Sequence, residues 1–121
     1  MSINEDVIKL VAEGNNNIKS KKFEESLEVF NDALRLDPLN EGALAGKIIA
    51  FRKLHRYPDA EKIIQEALEK LPKNVEILNQ WSILYHERQY ERAIKILDQI
   101  LEIQPSNKNA FLSKIVWLRS Q

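Results

Sequence analysis

Cysteine is absent from the 121 residues, so disulfides and thiolate metal sites are excluded. Net charge is absent too: eighteen basic residues balance eighteen acidic ones. A dedicated nucleic-acid binder carries a basic excess as its electrostatic footprint, so no nucleic-acid partner is expected. No window approaches the roughly 18 apolar residues that cross a bilayer. Residues Met1 to Leu10 mix apolar and acidic side chains, unlike the continuous apolar core of a signal peptide. No membrane association is expected, and the cytoplasm is the expected compartment. Glycine is scarce, with three residues and no phosphate-cradling loop or nucleophile elbow among them. The two histidines, His55 and His86, lack a second ligand at a convincing spacing. No catalytic residues, metal or cofactor are expected, and the chain does not read as an enzyme.

What is present is a repeat. Pro38, Pro72 and Pro105 recur at steps of 34 and 33 residues, and Phe23, Tyr57 and Tyr90 keep the same steps. So do Ser26, Ala60 and Ala93, and Phe30, Ile64 and Leu97. A period of this length marks a solenoid, a stack of units that bury their apolar faces only against neighbours. The hydrophobic fraction of 44% suffices for such a core.

Each unit reads as two helices. Ser2 with Glu5 makes a capping box that opens a helix to about Lys19. After a Ser-Lys-Lys turn, Phe23, Leu27, Phe30 and Leu34 line one face of a helix to about Leu36. Pro38 stops it, because proline lacks the donor and restricts the residue before it. Asn40 and Asn74 open the next units, and Pro58 sits in a first helical turn, where a missing N–H costs little. The third unit is one residue short between Tyr85 and Tyr90, which predicts a shortened inter-helix turn. Residues from Ser106 on match the start of the second unit at an offset of 67 residues. The expectation is an all-α chain of seven helices, three pairs and one extra.

This pattern resembles the tetratricopeptide repeat. Its carriers are Leu10, Gly14, Phe23, Ser26, Phe30, Ala33 and Pro38, then Leu44, Phe51, Tyr57, Ala60, Ala67 and Pro72, then Leu78, Ser82, Tyr85, Tyr90, Ala93 and Pro105. The resemblance covers essentially the whole chain. It implies a right-handed α-solenoid forming one domain over 1–121. Repeats fall at about 7–40, 41–74 and 75–107, with a C-terminal helix over about 108–121.

The resemblance also implies a protein–protein interaction module that holds a protein or peptide in a concave groove lined by first helices. By repeat phase the groove takes Val11 and Asn15, then Ala45, Gly46 and Ile49, then Asn79, Gln80 and Ile83, and finally Leu112, Ser113 and Val116. The small residues Ala45 and Gly46 predict a low floor, and the aliphatic track suits an amphipathic helix or apolar peptide. Some relatives grip acidic chaperone tails with five clamp residues, here Val11, Asn15, Gly46, Glu76 and Gln80. Only Asn15 matches and Glu76 has the wrong sign, so a chaperone acidic C-terminal tail is not the expected partner.

Basic residues (Lys19, Lys21, Lys22, Arg52, Lys53, Arg56, Arg88, Arg92) cluster at the expected turns, where helix C-termini favour cations. The last helix carries Phe111, Ile115, Trp117 and Leu118 where a following helix would pack. Either the natural chain continues beyond Gln121 or another copy covers this face. A homodimer through these residues is the alternative function, structural self-assembly.

Overall fold

The structure, a computed structural model, describes residues 2–119 and, for Ile96 and Trp117, the backbone alone. Among the described residues there are six helices and no strand: α1 (Ile3–Lys19), α2 (Phe23–Leu36), α3 (Glu41–Lys53), α4 (Tyr57–Lys70), α5 (Val75–Ile103) and α6 (Lys108–Arg119). The boundary between two compact units falls inside α5, between Leu84 and Tyr85.

In the first unit the helix starts follow the expected capping chemistry. Ser2 Oγ accepts from the Glu5 N–H at 3.1 Å. Asn40 Oδ1 accepts from Ala43 and Asn74 Oδ1 from Ile77, each at 2.9 Å. Each cap satisfies one of the donors that a helix start leaves unpaired, worth about 1 kcal/mol.

The two inter-helix turns are copies of one another. Lys22 N–H reaches back to Asn17 O at 2.7 Å and Arg56 N–H to Phe51 O at 2.8 Å. Both turns place one residue in the left-handed region, Lys21 at φ 61° and His55 at φ 58°. This reversal closes the preceding helix and returns the chain antiparallel. His55 is further tied down by a 2.8 Å hydrogen bond between its Nδ1 and the Tyr57 hydroxyl.

Packing follows the repeat. α1 lies against α2 and α3, α2 against α3, and α3 against α4. Phe30 is fully buried with Val7, Ala33 and Ala43 around it. Its ring occupies the space that side chains on Gly14 and Gly46 would need: ideal Cβ atoms there would fall 2.5 Å and 2.2 Å from ring carbons. Two glycines, one on each neighbouring helix, thus let α1 and α3 close on α2. A second cluster joins Leu44, Ile48, Phe51, Ala60, Ile64 and Ala67 to Ile77 and Leu84 of α5. Full burial of a side chain such as Ile64 contributes about 1.5–3 kcal/mol.

The expected seventh helix is not there, because the third inter-helix turn does not form. Residues 75–103 are one continuous helix of 29 residues. Two physical reasons coincide. The segment has one residue fewer than the Lys21 and His55 turns, and it offers Glu87, Arg88 and Gln89. Those three are strong helix formers, and with the residue needed for the reversal missing, helix propagation continues. Arg88 and Arg92 therefore lie within a helix, and the basic cluster expected at a third turn does not form. At the second turn Arg52 is buried.

The second unit comprises the rest of α5 and α6. Asn107 Oδ1 accepts from the Ala110 N–H at 2.9 Å, opening α6 as Asn40 opens α3. Lys114 pairs with Asp98 at 2.5 Å, tying α6 to α5, and Ala110 is buried.

Candidate functional site

The groove positions expected in the first unit fall on α1, α3 and the start of α5. Val11, Ile49 and Ile83 are half-buried, with flanks available to a ligand, and Asn15 and Asn79 are exposed. Val11 stands close to α3, its Cγ1 3.1 Å from where a Cβ on Gly42 would sit. The result is an aliphatic track edged by two amides, with no charged residue among the expected positions. Such a surface rewards apolar contact and leaves amide donors and acceptors to fix a partner's backbone.

Three expected groove residues turn inward instead. Ala45 and Gln80 are buried, and the open side of Gly46 faces the Phe30 ring, not solvent. The low floor expected at Gly46 is therefore already filled by the protein's own phenylalanine. Gln80 donates its amide to Glu76 Oε1 at 3.3 Å. Its own Oε1 is buried without a hydrogen-bond partner.

Leu112 and Val116 lie on α6 in the second unit, both more than half exposed. Phe111 and Leu118 are about half exposed on the same helix, and Ile115 is half-buried. The side chain of Trp117 lies outside the described residues.

One concave surface escaped the repeat reading. A cleft of about 420 Å³ is lined by Leu34, Leu39, Leu44, Lys47, Ile63 and Lys70, on α2, the loop after it, α3 and α4. Half burial there lowers the Lys47 pKa below its usual 10.5, an effect that the carboxylates of Glu66 and Asp59 partly oppose. The signal in the sequence was a leucine directly after Pro38, too common to single out. Among the described residues, no group of three His, Cys, Asp or Glu could hold a metal ion. No described helix is long and apolar enough to cross a membrane.

A family model described as tetratricopeptide repeat matches residues 17–79. The chain belongs to the tetratricopeptide repeat family. A curated relative, the TPR repeat-containing protein YsoA of Bacillus subtilis (strain 168), is 28% identical over 96 residues, 78% of this chain. The chain spans only 29% of that relative's length. Among solved structures, the Arabidopsis OM64 TPR domain superposes with a TM-score of 0.64 at 20% identity, covering 99% of this chain and all of that one. The second TPR domain of human RPAP3, solved in complex with the HSP70 peptide SGPTIEEVD, gives 0.63 at 20% identity, covering 96% of this chain and 98% of that one. At these identities the structural likeness establishes the fold. Tetratricopeptide domains are protein-interaction scaffolds, and that is the functional class of this chain.

Proposed function

We propose that the chain binds an apolar or amphipathic segment of a partner protein along the track formed by Val11, Ile49 and Ile83. The observation that carries this reading is the composition of the first-helix face: three half-buried aliphatics, Val11, Ile49 and Ile83, flanked by exposed Asn15 and Asn79. An amphipathic helix buries its apolar stripe on such a track, and the amides take hydrogen bonds at its edge.

The peptide carried by the RPAP3 domain ends in acidic residues, and that mode is not the one proposed here. The clamp positions read Val11, Asn15, Gly46, Glu76 and Gln80. Gly46 and Gln80 are buried and Glu76 repels a carboxylate.

The test uses a leucine-based helical peptide with equal lysine and glutamate content, titrated into the protein by calorimetry. Binding that is lost in Ile49→Glu with Ile83→Glu, while the helical content is unchanged, supports the groove. Binding that survives both substitutions removes it.

A second reading is self-assembly through α6, favoured by the exposure of Phe111 (56%) and Leu118 (48%). These residues match Leu44 and Phe51 in repeat phase, which α4 covers. A homodimer that Phe111→Lys with Leu118→Lys dissociates supports this reading.

A further inference from the structure

The α2–α4 cleft lies wholly within the first unit, and its lining combines two unlike chemistries. Leu34, Pro38, Leu39, Leu44, Ile63 and Ala67 form an aliphatic wall around about 420 Å³, within the roughly 300–1,000 Å³ of small-molecule sites. The other described lining residues, Lys47, Glu66 and Lys70, are all charged, two cations against one anion. Among the described residues that line it there is no aromatic ring to stack a planar ligand. Nor is there a hydroxyl or amide side chain to read a sugar. The wall suits an aliphatic tail, and the charge suits an anion.

Lys47 is the unusual member. It is half-buried, and its ammonium lies 5.8 Å from the centroid of the Phe51 ring. It makes no hydrogen bond or ion pair with any described residue, and Glu66 and Asp59 act on it only through space. Burial costs this charge solvation, and no partner within hydrogen-bond reach offsets the cost. The same low dielectric strengthens its attraction for an anion that enters the cleft. Lys70, exposed on α4, adds a second positive charge to the lining.

We infer that this cleft binds an aliphatic carboxylate, its acyl tail against Leu34, Leu39, Leu44 and Ile63 and its carboxylate at the Lys47 ammonium. The charge balance selects the acid. A fatty alcohol leaves Lys47 without a counter-charge, and a fatty amine meets a net positive lining. Glu66, exposed on α4, competes for the same ammonium and so tempers the affinity. The site shares no residue with the track of Val11, Ile49 and Ile83 and takes a different kind of ligand, so each stands or falls alone.

The test follows amide shifts of the full chain on titration with hexanoate, octanoate and decanoate, each below its micelle concentration. Saturable shifts are expected at Leu39, Lys47 and Ala67, with affinity rising about tenfold for every two methylenes added. Lys47→Met keeps an unbranched stem and removes the charge. It is expected to weaken octanoate about tenfold or more and to leave the affinity for octanol unchanged. Glu66→Gln is expected to tighten octanoate. Leu39→Glu, at an exposed wall position, is expected to weaken every acid of the series. Thermal unfolding of each variant separates lost binding from a lost fold. Octanol that binds as tightly as octanoate overturns the inference, as does an octanoate affinity that Lys47→Met leaves unchanged. So does an absence of saturable shifts in the cleft at millimolar octanoate. Acetyl-leucyl-leucine that displaces octanoate at lower concentration also overturns it, giving the cleft instead to the carboxyl end of a partner chain.

Discussion

Phe30 fills the space beside Gly46: a Cβ on Gly46 would stand 2.2 Å from Cζ of the ring. In an exposed helix interior, glycine to alanine gains about 1 kcal/mol of helix propensity. Here the sign reverses, because Phe30 is 0% exposed and the clash is with a rigid ring locked on all sides. Overpacking of this kind costs about 1–3 kcal/mol or more. Gly46→Ala is therefore expected to lower the midpoint of thermal unfolding by several degrees, and Gly14→Ala to do the same. Gly42→Ala, whose Cβ finds its nearest neighbour at 3.1 Å, is expected to change it little.

The turn residues give a prediction of opposite sign. Lys21 holds φ at 61°, a conformation that costs a non-glycine residue about 1–2 kcal/mol. Lys21→Gly removes that strain and loses some chain entropy, so a net gain of about 0.5–1 kcal/mol is expected. Chemical denaturation of Lys21→Gly beside Lys19→Gly checks it: the second substitution lies within α1 and is expected to destabilise.

Lys47 makes the stability depend on pH in a defined direction. Burial lowers its pKa below 10.5 in the folded chain, with Glu66 and Asp59 partly offsetting the shift. Between the folded value and 10.5 the unfolded chain binds more protons, so this group's contribution to stability rises with pH there. Below that window the buried charge is a constant cost. Lys47→Met is expected to stabilise the protein at pH 7 and to show a smaller advantage near pH 10.5. Urea midpoints of both proteins at the two pH values check this.

The repeat period made most of the fold legible. It places the ends of α1 and α2, the caps Asn40 and Asn74, and the stops before Pro38 and Pro72 where the structure has them. These features are local: a side-chain oxygen near a free N–H, or a proline without one. The missing third turn was visible as a lost residue, but its consequence was not. A shortened turn and a continuous helix differ by a balance between helix propensity in Glu87, Arg88 and Gln89 and burial of Tyr85. Spacing alone does not settle that balance.

The groove was legible in part for a similar reason. Repeat phase assigns a residue to a helix face, and Val11, Ile49 and Ile83 follow it. It does not reveal that Gly46 is emptied to admit Phe30 from the neighbouring helix. The clue was the symmetry of the two glycines, each sixteen residues from Phe30. It is a long-range relation that a period of 34 hides.

The most direct test of the interaction surface is a nuclear magnetic resonance map of amide shifts as the leucine-based helical peptide is added. The account predicts that saturable shifts centre on Val11, Asn15, Ile49, Asn79 and Ile83 and leave the α2–α4 cleft at Leu39 and Lys47 unmoved. Shifts centred on that cleft, or none at all at saturating peptide, would contradict it.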